Sequence, residues 1–367
     1  MERALARSRD RQAAPRTYRR TRLMIVDDSM VARAVLSRMV ESDDDFEIAA
    51  VAGTAEDAID ALQAVSVDVI LLDLDMPGAG GLKSIPRIIA AAGGARIMIV
   101  SSLAEEGAEQ TVAALALGAA DTLPKPGTSR FNGRFSEILL RKLKALGHAD
   151  QQFAAAPAPR APEGGSLRIS SGSPMDILAI GASTGGIHAL GTLFHHLPKQ
   201  IGVPILVTQH LPSPFMGVFA RQLGAVAQRE ALVAENGMQL LPDRIIIAPG
   251  DAHLTVDVAG GSPVARLTNG PVASGCLPSL DPMFATVGAL FGKGALGVVL
   301  TGMGRDGVEG AARMVACGGA LLAQDAASCA VYGMPRAVLD AGLACAVMPP
   351  EKLARRIASL APEPPCK

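Results

Sequence analysis

Three side chains, each following an apolar run, could together carry out nucleophilic chemistry. Ser183 lies in Ile180-Gly181-Ala182-Ser183-Thr184-Gly185-Gly186, and His210 in Val207-Thr208-Gln209-His210. Asp306 lies in Val299-Leu300-Thr301-Gly302-Met303-Gly304-Arg305-Asp306-Gly307. A serine hydroxyl needs a base to attack at neutral pH. His210 could take and return its proton, while Asp306 holds the imidazole tautomer and stabilises the imidazolium. The small residues around Ser183 would let a substrate approach the backbone. A helix starting there would offer unpaired N–H groups to an oxyanion. The chain order Ser, His, Asp differs from that of ordinary α/β hydrolases, whose acid precedes the histidine.

The competing reading of the Gly-rich turn is a phosphate site at a helix N-terminus. The turn lacks the G-x-G-x-x-G spacing and a Walker lysine, and a phosphate site leaves His210 and Asp306 unexplained. His210 could also simply pack, and Asp306 could form a turn with Gly307. A nucleotide-binding enzyme remains a minor alternative.

A second polar set occupies the first third of the chain. Asp27 and Asp28 follow the run Leu23 to Val26, and Asp73 follows Val67 to Leu72. Three neighbouring carboxylates repel one another unless a cation is present. An all-oxygen cluster of that charge suits Mg²⁺, which keeps waters or a phosphoryl group as its other ligands. Ser101 and Lys125 follow two further runs, where a hydroxyl and an ammonium could engage phosphoryl oxygens. Helix capping by Asp27 and Asp28 is the plainer alternative, but it does not explain five polar residues after four strands.

The elements that must position these residues are short β-branched runs alternating with Ala-rich helical stretches. Leu23 to Val26, Ile48 to Val51, Val67 to Leu72, Ile97 to Val100 and Ala119 to Leu123 read as strands of a parallel sheet, closed by a helix around Phe135 to Leu146. Gln151 to Pro174, rich in Ala, Pro, Gly and Ser, reads as a flexible linker. A second series follows, with strands at Ile177 to Ile180, Ile205 to Thr208, Arg244 to Ala248, Leu296 to Leu300 and Gly319 to Ala323. The expected fold class is α/β, with two doubly wound parallel-sheet domains: an N-terminal (βα)5 unit over 22–127 and a C-terminal Rossmann-like unit over 175–360. Residues 128–174 form the helix end and linker between them. In such sheets ligands bind beyond the carboxyl ends of the strands, where all the residues named above fall.

Length and composition agree with this division. A chain of 367 residues exceeds the size at which one core usually stops growing. A net charge of -1 provides no field to attract nucleic acid, so no nucleic-acid partner is expected. The Arg-rich residues 1–21 lack apolar periodicity and read as disordered. They also lack the apolar middle of a secretory signal, and no later run reaches roughly 18 uncharged apolar residues. Membrane insertion is therefore not expected, and a cytoplasmic monomer is. Five cysteines, Cys276, Cys317, Cys329, Cys345 and Cys366, show no metal-site spacing and are odd in number, so they read as ordinary thiols.

Residues 22–127 resemble the receiver domains of two-component response regulators, through Asp27-Asp28-Ser29, Leu72-Asp73 with Met76-Pro77, Ser101, and Lys125-Pro126. The resemblance implies that Asp73 accepts a phosphoryl group from a histidine kinase, that Asp27, Asp28 and Asp73 hold Mg²⁺, and that Ser101 and Lys125 read the modification. Thr122 stands where the family often carries a switch aromatic, and Gly80 replaces a frequent Asp.

Residues 175–355 resemble the chemotaxis protein-glutamate methylesterases. The resemblance rests on Gly181 to Gly186, Gln209-His210-Leu211-Pro212, Ala248-Pro249-Gly250, Pro278-Ser279-Leu280-Asp281, Thr301 to Gly304 with Asp306-Gly307, and Gly333-Met334-Pro335. It implies hydrolysis of glutamyl methyl esters on chemoreceptors with release of methanol, often with deamidation of receptor glutamine. Ser183, His210 and Asp306 are then catalytic, and Thr184 and the Met303 amide help to hold the oxyanion. The esterase itself requires no cofactor on this reading. The partners implied are methyl-accepting chemoreceptors and a chemotaxis-type histidine kinase. Cys276-Leu277-Pro278-Ser279 departs from the usual His-Arg-Pro-Ser. His253 also matches the family and is expected to make a structural hydrogen bond, while His188, His195 and His196 are expected at the surface or in packing. The domain order suggests that the N-terminal unit covers the hydrolytic edge until Asp73 is phosphorylated. A receptor-binding module with a degenerate esterase domain is the alternative.

Overall fold

The structure, a computed structural model, describes residues 19–76, 80–101, 105–125, 133–147 and 175–362. Most of the Arg-rich stretch, the expected linker at 151–174, and Pro77, Pro126 and Cys366 lie outside the described residues.

The N-terminal unit runs β1 (Thr21–Val26), α1 (Met30–Glu41), β2 (Phe46–Ala52), α2 (Ala55–Ala64), β3 (Val69–Leu72), α3 (Gly81–Ala91), β4 (Arg96–Ser101), α4 (Glu105–Ala116), β5 (Asp121–Pro124) and α5 (Gly133–Gly147). Its five strands pair in the order β2-β1-β3-β4-β5, all parallel. Val-Ile-Leu-Leu of β3 is buried throughout, as a central strand with helices on both faces must be. Ser29 and Thr54 cap α1 and α2 by accepting from Ala32 and Asp57 N–H groups.

The C-terminal unit runs β6 (Ile177–Ala182), α6 (Gly186–His196), β7 (Ile205–Gln209), α7 (Ser213–Ala227), β8 (Ala231–Val233), β9 (Ile245–Ile247), β10 (His253–Ala259), β11 (Ser262–Thr268), α8 (Leu280–Phe291), β12 (Ala295–Val299), α9 (Val308–Ala316), β13 (Ala320–Gln324), α10 (Met334–Asp340), β14 (Ala346–Met348) and α11 (Pro350–Ala358). Seven strands form a parallel sheet in the order β14-β13-β12-β6-β7-β9-β8. The sheet grows from β6 toward β7 on one side, and β12, on the other, starts the run to β13 and β14. The topological switch point therefore lies between β6 and β12, where doubly wound sheets place their ligands.

Three features go beyond the sequence expectations. Strands β8 and β14 are only three residues long, too short for a periodic signal. β10 and β11 form an antiparallel hairpin apart from the main sheet. Its two central residues, Gly260 and Gly261, both have positive φ, the turn that matches strand twist.

Apolar faces decide which helices lie on which side of the large sheet. Phe194, Phe215 and Phe219, from α6 and α7, pack against one face, and Phe284 of α8 packs with Met283 and Met314 against the other. Truncating one such phenylalanine to alanine costs about 3–5 kcal/mol. The first of these clusters continues into the N-terminal unit, through Ala108, Val112 and Leu115 of α4. A second seam joins the core around α5 to Val331, with Met303 and Ala330 against it.

Candidate active site

Ser183 follows β6 at the switch point, His210 follows β7, and Asp306 lies in the loop between β12 and α9. The Ser183 hydroxyl is 3.1 Å from His210 Nδ1, and His210 Nε2 is 2.9 Å from Asp306 Oδ2. Burial alone would raise the Asp306 carboxyl, but hydrogen bonds and charge from His210, with Ser279 and the Leu280 N–H, hold it down at about 2. The aspartate is thus ionised and accepts from Nε2–H, which leaves Nδ1 as an acceptor facing the serine hydroxyl. Proton transfer from Ser183 to His210 is geometrically open.

Asp306 is fixed by more than the histidine. Oδ1 accepts from Ser274 Oγ at 2.7 Å and Ser279 Oγ at 2.5 Å, and Oδ2 accepts from the Leu280 N–H at 2.8 Å. Ser279 is also the N-cap of α8, where it accepts from the Asp281 N–H. One hydroxyl therefore starts a helix and orients the carboxylate. In the sequence Ser279 stands within one of the family motifs, but neither its type nor that of Ser274 points to Asp306. The capping pattern at the start of an apolar helix was the available signal.

The strand-to-helix turn is shaped by glycine. Gly185 has φ +78°, and a Cβ there would stand 2.5 Å from that of Ala330. At Gly186 an added Cβ would collide with Gln209 Oε1. Gln209 in turn donates from Nε2 to the Ser183 carbonyl at 2.9 Å, which ties the end of β7 to the nucleophile. The loop carrying Met303 runs directly beside Ser183, since a Cβ on Gly302 would stand 2.7 Å from Ser183 Cβ. Thr184 and Met303 thus flank the serine. Cys276 completes the surroundings: its thiol, a His210 ring nitrogen and an Asp306 carboxylate oxygen all lie within 4.8 Å of one another.

The N-terminal unit lies over this site. Ala120 accepts from the Gly185 N–H at 2.6 Å, and Asp121 Oδ2 accepts from Thr184 Oγ1 at 2.6 Å. Arg96 donates to the Ala330 carbonyl at 2.7 Å, His188 Nδ1 lies 3.0 Å from the Ala116 carbonyl, and Arg221 pairs with Glu109 at 3.0 Å. Between Ala119 to Thr122 on one side and Ser183, Gly186 and His210 on the other, a cavity of about 10 Å³ remains, space for roughly one water. His195 and His196 are exposed on α6. His253 is buried, accepting from the Ser279 N–H and bonding the Gly270 carbonyl.

The second polar set also comes together. Carboxylate oxygens of Asp27, Asp28 and Asp73 lie within 4.8 Å of one another. Lys125 Nζ reaches Asp27 Oδ2 at 2.9 Å and Asp73 Oδ2 at 2.7 Å. Burial pushes the Asp73 carboxyl up, against the pull of Lys125. Burial works against the Lys125 charge too, but its two carboxylate partners carry it net upward. Ser101 Oγ lies 2.6 Å from Thr111 Oγ1 on α4, both buried. Thr122, at the position of the missing aromatic, is buried with its hydroxyl unpaired.

Comparison with known proteins agrees with this arrangement. Residues 23–131 match the response regulator receiver domain family, and residues 178–357 match the CheB methylesterase family. The chain is 42% identical over 348 residues to protein-glutamate methylesterase/protein-glutamine glutaminase 2 of Caulobacter vibrioides, covering 93% of this chain and 99% of that protein. It is 36% identical over 365 residues to such a protein of Paramagnetospirillum magneticum, covering 93% and 96%. The crystal structure of the Thermotoga maritima CheB methylesterase catalytic domain superimposes with a TM-score of 0.50 at 33% identity, over 51% of this chain and 99% of that one. No helix among the described residues is long and apolar enough to cross a membrane. A receiver-type unit in contact with a Ser-His-Asp site, in a chain that matches the two curated relatives over 93% of its length, places the protein in the protein-glutamate methylesterase/protein-glutamine glutaminase family, the carboxylic ester hydrolases that join a receiver domain to a CheB methylesterase domain.

Proposed function

We propose that this chain hydrolyses methyl esters of glutamate side chains on chemoreceptors, under control of a phosphoryl group on Asp73. The observation that carries the reading is the hydrogen-bonded chain from Ser183 through His210 to Asp306. Ser183 Oγ attacks the ester carbonyl while His210 Nδ1 takes its proton. The tetrahedral oxyanion forms beside Thr184 and the Met303 amide, which stabilise it. His210 then delivers the proton to the departing methoxide, releasing methanol. Water, deprotonated by the same imidazole, cleaves the acyl-serine to free glutamate. A receptor glutamine follows the same course with ammonia leaving, which gives the deamidation.

In the receiver, Asp27, Asp28 and Asp73 present the hard oxygen donors that suit Mg²⁺, which when bound neutralises phosphoryl oxygens. Asp73 accepts the phosphoryl group from a chemotaxis-type histidine kinase. Lys125, already on Asp73, then pairs with it, and Ser101 turns toward it. The protein works as a cytoplasmic monomer, with residues 22–127 as receiver and 175–360 as esterase.

The test is methanol release from methylated receptors, with and without a small-molecule phosphodonor. Wild type is expected to release methanol faster with the donor. Ser183→Ala is expected to fall to background, on the order of 10⁶-fold by comparison with serine proteases. Equal rates for wild type and Ser183→Ala would remove Ser183 from the mechanism.

A further inference from the structure

Cys276 has no part in the hydrolysis just described, yet its thiol faces the two residues that activate Ser183. A ring nitrogen of His210, the Cys276 Sγ and a carboxylate oxygen of Asp306 lie within 4.8 Å of one another. One imidazole, one thiol and one carboxylate form the mixed donor set that selects Zn²⁺ over Mg²⁺, which takes oxygen ligands. Catalytic zinc sites likewise combine three protein ligands with an open fourth position.

We propose that His210, Cys276 and Asp306 form an inhibitory site for Zn²⁺, in which the metal takes the imidazole out of the proton relay.

The chemistry leaves little freedom in the outcome. Metal on Nε2, the nitrogen that faces Asp306, forces the remaining ring proton onto Nδ1, so nothing can accept the Ser183 proton. Metal on Nδ1 occupies the accepting lone pair directly. Either way Ser183 loses its base. The Cys276 thiol releases its proton to solvent on binding, and the open fourth position takes a water.

The surroundings fit a metal site. Asp306 is held by Ser274, Ser279 and the Leu280 N–H, the kind of outer hydrogen bonding that fixes metal-binding carboxylates. Cys276 lies in the loop before α8, half-buried, with its Sγ 3.9 Å from the Ser274 carbonyl, a weak contact that a metal–thiolate bond would replace. Donor atoms of a filled tetrahedral site stand roughly 3.3–3.5 Å apart, from bonds of about 2.0 Å to nitrogen and 2.3 Å to sulfur. In this cluster His210 Nε2 and Asp306 Oδ2 stand 2.9 Å apart and every donor atom lies within 4.8 Å of the others, so binding requires the first pair to part slightly to admit the metal.

The inhibitory consequence rests on the esterase reading, whereas the metal site does not, and two readouts separate them. The first titrates Co²⁺ into the reduced full-length chain in excess Mg²⁺, which occupies the receiver carboxylates. A thiolate-to-cobalt charge-transfer band is expected in wild type. It should be lost in both Cys276→Ser and His210→Ala, and Zn²⁺ should displace it. The second follows methanol release by phosphodonor-treated protein against Zn²⁺ concentration. Wild type should be inhibited reversibly by chelator, and the half-inhibitory Zn²⁺ concentration of Cys276→Ser, relative to its own zinc-free rate, should rise at least tenfold. A charge-transfer band that survives in Cys276→Ser, or equal zinc sensitivity in the two proteins, overturns the proposal. If the band behaves as expected but no form of the protein releases methanol, the esterase reading fails while the zinc site stands.

Discussion

Asp306 shows how much of a site depends on a residue that never touches the substrate. Four donors meet its two oxygens, from His210, Ser274, Ser279 and Leu280. Asp306→Asn keeps the shape but offers an N–H₂ where a donor already points, and it no longer fixes the imidazole tautomer. A fall in kcat on the order of 10⁴-fold is expected in the methanol assay, the size of loss seen when a serine protease aspartate is so replaced. The carboxyl also links stability to pH. Its folded value of about 2 lies below the roughly 3.9 of an unfolded aspartate. Its stabilising contribution is thus complete above about pH 4 and disappears as pH falls through about 2. Thermal melts of wild type and Asp306→Asn should converge over that window and remain apart above it. Ser183, His210 and Asp306 were legible in the sequence because each follows an apolar run, and parallel strands deliver such residues to one rim. Ser274 and Ser279 were not, since a serine in a loop gives no sign of which carboxylate it will meet. Cys276 was read as an ordinary thiol for the same reason: its loop reaches the site through tertiary packing, with no periodicity to report it.

At the scale of elements, α4 connects the two halves. Its Thr111 hydroxyl bonds Ser101 at the end of β4, and the same helix presents Glu109 and the Ala116 carbonyl to α7 and α6. With Thr122 in place of an aromatic, the Ser101–Thr111 bond would be a physical link from the proposed phosphorylation site to the interface. If a phosphoryl group on Asp73 draws Ser101 away, the Thr111 hydroxyl would lose its partner and the seated position of α4 would weaken. Removing the bond in Thr111→Val should destabilise that position by about 1 kcal/mol, the net worth of an ordinary hydrogen bond. Basal methanol release should then rise several-fold and stimulation by phosphodonor should shrink by a similar factor. An unchanged stimulation ratio would take Thr111 out of the pathway. The parallel sheets were legible because their long strands are apolar throughout, as in β3 and β6. The β10–β11 hairpin carries its signal in Gly260-Gly261, but β10 is buried at its start and exposed at its end and β11 is buried only at its centre, with no continuous apolar run to announce them.

At the scale of the whole molecule, the contacts between the two units would make inhibition by the receiver chemical as well as steric. Ala120 accepts from the Gly185 N–H at the start of α6, and Asp121 accepts from the Thr184 hydroxyl beside the nucleophile. The Gly185 N–H and the Thr184 hydroxyl are thereby both occupied, and the second is a donor proposed for the oxyanion. Asp121 also brings a negative charge beside Thr184, proposed to hold the oxyanion, although Lys142, at 2.7 Å, offsets part of it. Phosphorylation can change activity only by its differential effect on the closed and open arrangements. Contacts present only in the closed form therefore set the basal rate. Asp121→Ala removes one charge-assisted hydrogen bond of about 1.5–3 kcal/mol from that form. It should raise basal methanol release by roughly tenfold or more, as 1.4 kcal/mol corresponds to a factor of ten. Deleting residues 1 to 150 removes every such contact and should raise the rate further, with no remaining response to phosphodonor. A folded fragment is a fair expectation, since the related Thermotoga maritima catalytic domain was crystallised by itself. The ordering of the three proteins is the decisive measurement. If the receiver acts only by bulk, Asp121→Ala will match wild type and deletion alone will release activity. If the closed form is held by specific bonds to Thr184 and Gly185, the point variant will lie between wild type and the fragment, still phosphodonor-responsive and with a smaller fold-change than wild type.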